Sequence, residues 1–214
     1  MSWNQQPSVL PAGGAARQAL VKTGPAATAL AWAGRPNMLH TDSTDRTVAN
    51  TTTESMVAES VLSFNGAPAA GDLVVIESWG EVLNNTGATQ NVTPALRTGS
   101  TSGGFAASID IFRPAAAMAL PTAADTRKWM ARVVLNVRDP APVAIGAHFW
   151  VTTSTTAGVW AQLTTSQWQY QGARTLAIDF ATQTQSVYLG GLFGAASANL
   201  SMTHRATRTL WVPA

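Results

Sequence analysis

A chain of 214 residues with 46% hydrophobic content can bury a sizeable core. Only 11% of its residues are charged, and 13 Lys and Arg stand against 11 Asp and Glu; a nucleic-acid surface needs clustered cations and is not expected. Cysteine is absent, which removes disulfides, thiolate metal sites and thiol nucleophiles together.

In chain order, residues 1–53 carry Pro7, Pro11, Gly13, Gly14, Gly24, Pro25, Gly34 and Pro36, which interrupt any regular element. This stretch is expected to be an extended, irregular N-terminal arm, with a short helix over 15–21 as an open alternative. Its apolar residues, among them Trp3, Leu20, Trp32 and Met38, suggest that it lies against a surface. The first basic residue is Arg17, so no signal peptide is expected. No apolar run approaches the ~20 residues that span a bilayer. The expectation is a soluble chain made in a cytosol, with no membrane partner.

From residue 54 onward short runs of period two alternate with Gly, Asn and Thr, which is the pattern of antiparallel strands. In 71–83, Val74, Ile76, Ser78, Gly80 and Val82 share one face, and Leu73, Val75, Glu77, Trp79 and Glu81 share the other. Both faces are partly apolar, so the strand is expected to be central or to lie under a neighbour. Asn84-Asn85-Thr86-Gly87 supplies residues that tolerate a tight reversal, and 90–97 should return beside it. In 127–138, Trp129, Ala131, Val133, Leu135 and Val137 form one dry face. Further strands are expected over 56–64, 105–112, 143–152, 159–170, 175–180, 186–193, 199–204 and 207–212, and a loop or short helix over 114–125. The whole of 54–214 therefore reads as an antiparallel two-sheet, jelly-roll-like β-sandwich.

Catalytic chemistry is sparse. His40 with Asp42 and Asp45 reads as a polar loop cluster, not a metal site, and no histidine pair has the i, i+4 spacing of a helical zinc site. His204, Arg205 and Arg208 read as a solvated strand face. Gly99-Ser100-Thr101-Ser102-Gly103 lacks the order of a nucleophile elbow. Glu77 and Glu81 stand more than about ten ångströms apart on an extended strand, too far for a retaining glycosidase pair. No enzyme, cofactor or metal is expected.

Tryptophan carries more information, since eight Trp accompany only two Tyr. A buried indole removes about 150–250 Å² from water, worth roughly 4–6 kcal/mol of gross transfer. Trp129 and Trp150 are assigned to the core. Trp3, Trp32, Trp79, Trp160 and Trp168 are the candidate subunit or capsid interface, and Trp160, Trp168 and Tyr170 double as an aromatic surface for sugar stacking.

The segment Gly71-Asp72-Leu73-Val74-Val75-Ile76, followed by Trp79-Gly80-Glu81-Val82-Leu83-Asn84-Asn85-Thr86-Gly87-Ala88, resembles the jelly-roll domains of tailed-phage virion surface proteins, both head decoration (cement) proteins and fibre heads. The entry Asp125-Thr126-Arg127-Lys128-Trp129 and the closing strand 207–212 are similar to that family as well. The likeness covers about residues 54–214. It implies a homotrimer on the virion surface, assembled in the host cytoplasm, with the major capsid protein or another virion protein as partner and no catalytic residues. The expected role is capsid decoration; the alternative is a receptor- or carbohydrate-binding head that takes a host glycan.

Overall fold

The alternating runs form strands that pair throughout in the antiparallel sense. The computed structural model describes residues 18–22, 30–34, 37–64, 68–113, 117–137, 143–152, 162–172 and 184–213, with the strands over 18–22, 30–34, 143–152 and 162–172 described by their backbone pairing. These strands are β1 (Gln18–Lys22), β2 (Leu30–Gly34), β3 (Asn37–Asp42), β4 (Arg46–Ala49), β5 (Ser55–Leu62), β6 (Leu73–Asn84) and β7 (Gln90–Ser100). They continue as β8 (Ile109–Phe112), β9 (Met118–Leu120), β10 (Ala123–Val137), β11 (Val143–Thr152), β12 (Gln162–Gly172), β13 (Gln185–Phe193) and β14 (Leu200–Val212).

One sheet runs β12-β11-β10-β6-β14-β3, with β4 also on β14. The second runs β5-β13-β7-β8, with β9 also on β7. The pairs β3/β14, β5/β13, β6/β10 and β7/β8 are the rungs of one long antiparallel ribbon. Rolling that ribbon sets β14 beside β6 and β13 beside β7, which is how a jelly roll closes two sheets into a sandwich. The β11–β12 hairpin extends the first sheet beyond β10.

The core lies between the sheets. Val74, Ile76, Val82, Trp129, Val133 and Leu135 project from β6 and β10, as their spacing dictates. Val57, Leu62, Leu96, Val187, Leu189 and Phe193 meet them from the second sheet. Trp129 is wholly buried and donates its indole N–H to the carbonyls of Glu81 and Thr203 at 3.2 and 3.1 Å. Gly80 makes room for it: a Cβ there would lie 2.8 Å from two carbons of the Trp129 ring and closer still to the Thr203 carbonyl oxygen.

The region expected as an irregular arm contains four strands. β1 and β2 pair with each other, Leu20 opposite Trp32, where a helix over 15–21 was the open alternative. β3 and β4 are edge strands of the first sheet, tied there by more than backbone pairing. His204 Nδ1 donates to the carbonyl of Thr44 (2.8 Å), Thr47 and Thr203 hydroxyls meet at 2.9 Å, and Val48 is in the core.

Three further expectations change in detail. The strands expected at 199–204 and 207–212 are one strand, β14, whose pairing with β6 slips between His204 and Ala206. The extra residue of this β-bulge moves the buried positions from Leu200, Met202 and His204 to Thr207, Thr209 and Trp211. The stretch 114–125 yields β9 and the start of β10, with no helix among its described residues. Of 105–112 only Ile109–Phe112 is strand, and Thr101–Gly103 before it forms a 3-10 turn. The strand expected over 175–180 lies outside the described residues.

Candidate functional site

Among the described residues the outward face of the first sheet gathers most of the unusual surface chemistry. Strand alternation that sends Val74, Ile76, Ser78, Gly80 and Val82 inward sends Leu73, Val75, Glu77, Trp79 and Glu81 outward. Register then brings each of these opposite a defined neighbour on β10 and β14.

Four rows result. Nearest the 84–88 turn, Glu81 accepts from Lys128 and from Arg205 (2.7 Å), and Arg205 also meets Asp45. Next comes Trp79, 37% exposed, paired in register with Met130 and Ala206. In the third row Glu77 lies between Arg132 (3.5 Å) and Arg208 (2.6 Å), and the Arg208 guanidinium sits 5.9 Å from the Trp79 ring centroid. The fourth is apolar: Met38, 55% exposed, then Leu210, Val75 and Val134, with Val212 and Leu73 just beyond.

Scarce charges have been concentrated into two rows on either side of the indole. The hydrogen bonds from Lys128 and then Arg205 hold the Glu81 carboxyl below the usual range. At the sheet edge, burial of Asp42 opposes a similar downward pull from Thr44 and Arg46 that prevails.

A second ionic cluster caps the other sheet. Arg97 reaches Asp110 (2.8 Å) and Glu54 (3.3 Å), and Arg113 meets the same two carboxylates. Arg97 also donates to Ser108 Oγ (2.8 Å) and lies 5.3 Å from the Phe105 centroid, which fastens 105–108 over Tyr188. Each of the eight carboxylates whose side chains are described is held by a donor. Five are in the ion pairs already named and Asp42 pairs with Arg46 (2.6 Å); Glu59 accepts from Ser186 (2.8 Å), and Asp72 from Ala69 N–H and the Trp211 indole (both 2.9 Å).

The residues singled out in the sequence are dispersed. Glu77 and Glu81 serve separate ion-pair rows. Asp42 goes to Arg46 and Asp45 to Arg205, and no group of three metal-ligating side chains forms among the described residues. His204 is fully buried while Arg205 and Arg208 face solvent, so the expected patch divides between two sides of β14. Trp129 is core, and Trp79 faces out. Trp32 lies on β2; Trp168 and Tyr170 lie two positions apart on β12, in register with Phe149 and Ala147, and Trp150 pairs in register with Met130. Trp3 and Trp160 lie outside the described residues.

Sequence reasoning missed Lys128, Arg132, Arg205 and Arg208 as the partners of Glu81 and Glu77. Alternation on β10 places Lys128, Met130 and Arg132 on one side, which is a readable signal. Their opposition to β6 depends on register, which it does not reveal.

No family model matches the chain, and no curated protein does. Among solved structures, weak similarity is found to the CBM2 module of the evolved Dit of Lactobacillus casei BL23 phage J-1, at 8% identity and a TM-score of 0.30 over 73% of this chain and 69% of that one. A Mycobacterium abscessus protein assigned as a β-glucanase follows at 11% identity, TM-score 0.26, over 71% and 68%. A structure of infectious bursal disease virus, Gx strain, matches at 12% identity, TM-score 0.27, over 89% of this chain and 46% of that one. Likeness at these TM-scores carries no weight for ligand, partner or activity.

Proposed function

We propose that the chain is a non-enzymatic virion structural protein, a capsid decoration subunit that acts as a homotrimer on the head of a tailed phage. The observation that carries this reading is the apolar row on the outward face of the first sheet, where Met38, Leu210, Val75 and Val134 lie side by side across four strands. Scattered apolar residues are ordinary on a surface, but a contiguous row on the open side of a sheet marks a contact with protein. The ion pairs and hydrogen bonds that hold the described carboxylates fit a structural role for them. The jelly-roll order of strands and the sequence resemblance point the same way.

In this reading neighbouring subunits cover the apolar row, and the trimer sits at a junction of the shell. Several modest contacts then sum through effective concentration into tight attachment. The β1–β2 hairpin suits a reaching role, since a lone two-stranded ribbon is marginal in water and gains stability from a surface. Sedimentation tests the assembly: the wild-type chain is expected to be oligomeric at micromolar concentration, and Val75→Lys to shift it to monomer without loss of folding. A clean wild-type monomer would overturn it. Attachment is tested with expanded heads, to which the full chain should bind. Removal of residues 1–36, which spares β3 and β4, should weaken that binding; no binding by the full chain sinks the decoration reading.

A second reading, a receptor- or carbohydrate-binding head, is favoured by one observation, the exposed Trp79 indole among polar side chains. Loss of cell-surface binding with Trp168→Ala would place it on β12 instead.

A further inference from the structure

The rows beside Trp79 differ in which charge they show to solvent. Lys128 and Arg132 are each 53% exposed, Arg208 52% and Arg205 44%, whereas Glu81 is 20% and Glu77 13% exposed. The carboxylates lie low between β10 and β14 and orient the cations, and the guanidinium groups of Arg132, Arg205 and Arg208 remain about half in solvent. A guanidinium has five donors; Arg132 meets Glu77 through Nε. Asp45, 57% exposed, is the acidic group at the rim. Among the described side chains, four cations against three carboxylates leave the patch at a net +1 around an indole that is 37% exposed.

We infer that this patch binds a carboxylate-bearing saccharide, one sugar ring against the Trp79 indole and its acidic groups on the surrounding basic side chains. An aromatic face takes the C–H side of a sugar ring, and convergent polar groups select its substituents. The exposed donors call for an acceptor-rich ligand, which a uronate supplies and a neutral glycan supplies less well. A flat protein surface fits worse, because it would desolvate two ion-paired rows at once, whereas sugar hydroxyls and carboxylates replace the water they displace. A polyphosphate fits worse too, since Glu77, Glu81 and Asp45 cancel most of the positive charge. This site goes beyond the assembly reading and uses other rows of the sheet.

The test is calorimetric titration of the full chain with hexagalacturonate and, separately, with maltohexaose. The wild type should bind hexagalacturonate with an affinity that falls as salt rises, and bind maltohexaose more weakly. Trp79→Ala should weaken hexagalacturonate by about tenfold, Trp79→Phe should retain most of the binding, and Arg132→Ala should flatten the salt dependence. Unchanged melting curves for the variants keep the comparison valid, as both positions, 79 and 132, are at the surface. Absence of hexagalacturonate binding, equal binding by Trp79→Ala, or equal affinity for maltohexaose would overturn the proposal. A wild-type chain that sediments as a monomer yet binds through Trp79 would overturn the assembly reading alone.

Discussion

The two sides of β6 place different demands on residues that alternate along one strand. Inward, Gly80 is glycine because the Trp129 ring and the Thr203 carbonyl fill the space a Cβ needs, and Asn84 closes the strand by donating to the carbonyls of Ala88 and Leu120 at 2.9 and 2.6 Å. Outward, Glu77 and Glu81 are each held between two basic side chains that remain about half in water. Shape and hydrogen-bond satisfaction dominate on the dry side, where an error leaves a cavity or an orphan polar group. Screened charge dominates on the wet side, where water replaces a lost partner. The dry side fixes the fold, and the wet side is free to carry binding.

Trp129→Ala should separate the two sides most widely. It removes a fully buried indole and should cost about 3–5 kcal/mol in denaturant unfolding, with no response to salt. Gly80→Ala should also destabilise, through overpacking of about 1–3 kcal/mol or more, and Trp129→Ala should not rescue it fully, because the clash with the Thr203 carbonyl persists. Either variant unfolding like the wild type would erase the distinction.

Asp72→Ala sharpens the comparison at an intermediate size. Its carboxylate accepts from the buried Trp211 indole, whose ring also stands edge-on to Phe64 at 5.1 Å. Loss of that acceptor should cost about 1–3 kcal/mol, and near-ultraviolet circular dichroism of the indole should change with it.

Glu81→Gln should be the smallest effect, about 0.2–1 kcal/mol and smaller still in high salt. Its pH signature has a defined sign. The folded-state pKa of Glu81 is depressed, so its contribution is fully present above the ordinary carboxylate range and is lost as pH falls through the folded value. Asp42 acts in the same direction. The stability difference between wild type and Glu81→Gln should therefore shrink on acidification below the carboxylate range, while that between wild type and Trp129→Ala should not follow the same curve. A Glu81→Gln penalty that grows in acid would contradict the assigned pairing.

Much of the sandwich was legible in particular residues. Trp129, Ala131, Val133, Leu135 and Val137 stand on the dry side because alternation is a property of the extended backbone, present before any strand finds a partner. The Asn84 reversal was legible for a similar reason: Gly87, with φ of 80°, adopts a conformation that side chains disfavour. The join between 199–204 and 207–212 was not, because a bulge at Arg205 resets the parity without any Gly or Pro to announce it. Trp211 gave no sign of belonging to the core, since its partner Asp72 lies 139 residues away in sequence. Of the candidate site only Trp79 with its two flanking glutamates was visible.

The sequence by itself determined the class of element, the two faces of its longest strands and the scarcity of charge, because these follow from side-chain type and a two-residue period. Only the tertiary structure decided that β3 and β4 belong to the first sheet, that Trp79 stands between two ionic rows, and that Met38, Leu210, Val75 and Val134 form one apolar line. Each of those facts depends on which strands become neighbours when the ribbon rolls, and neighbour choice is set by the packing of the whole core.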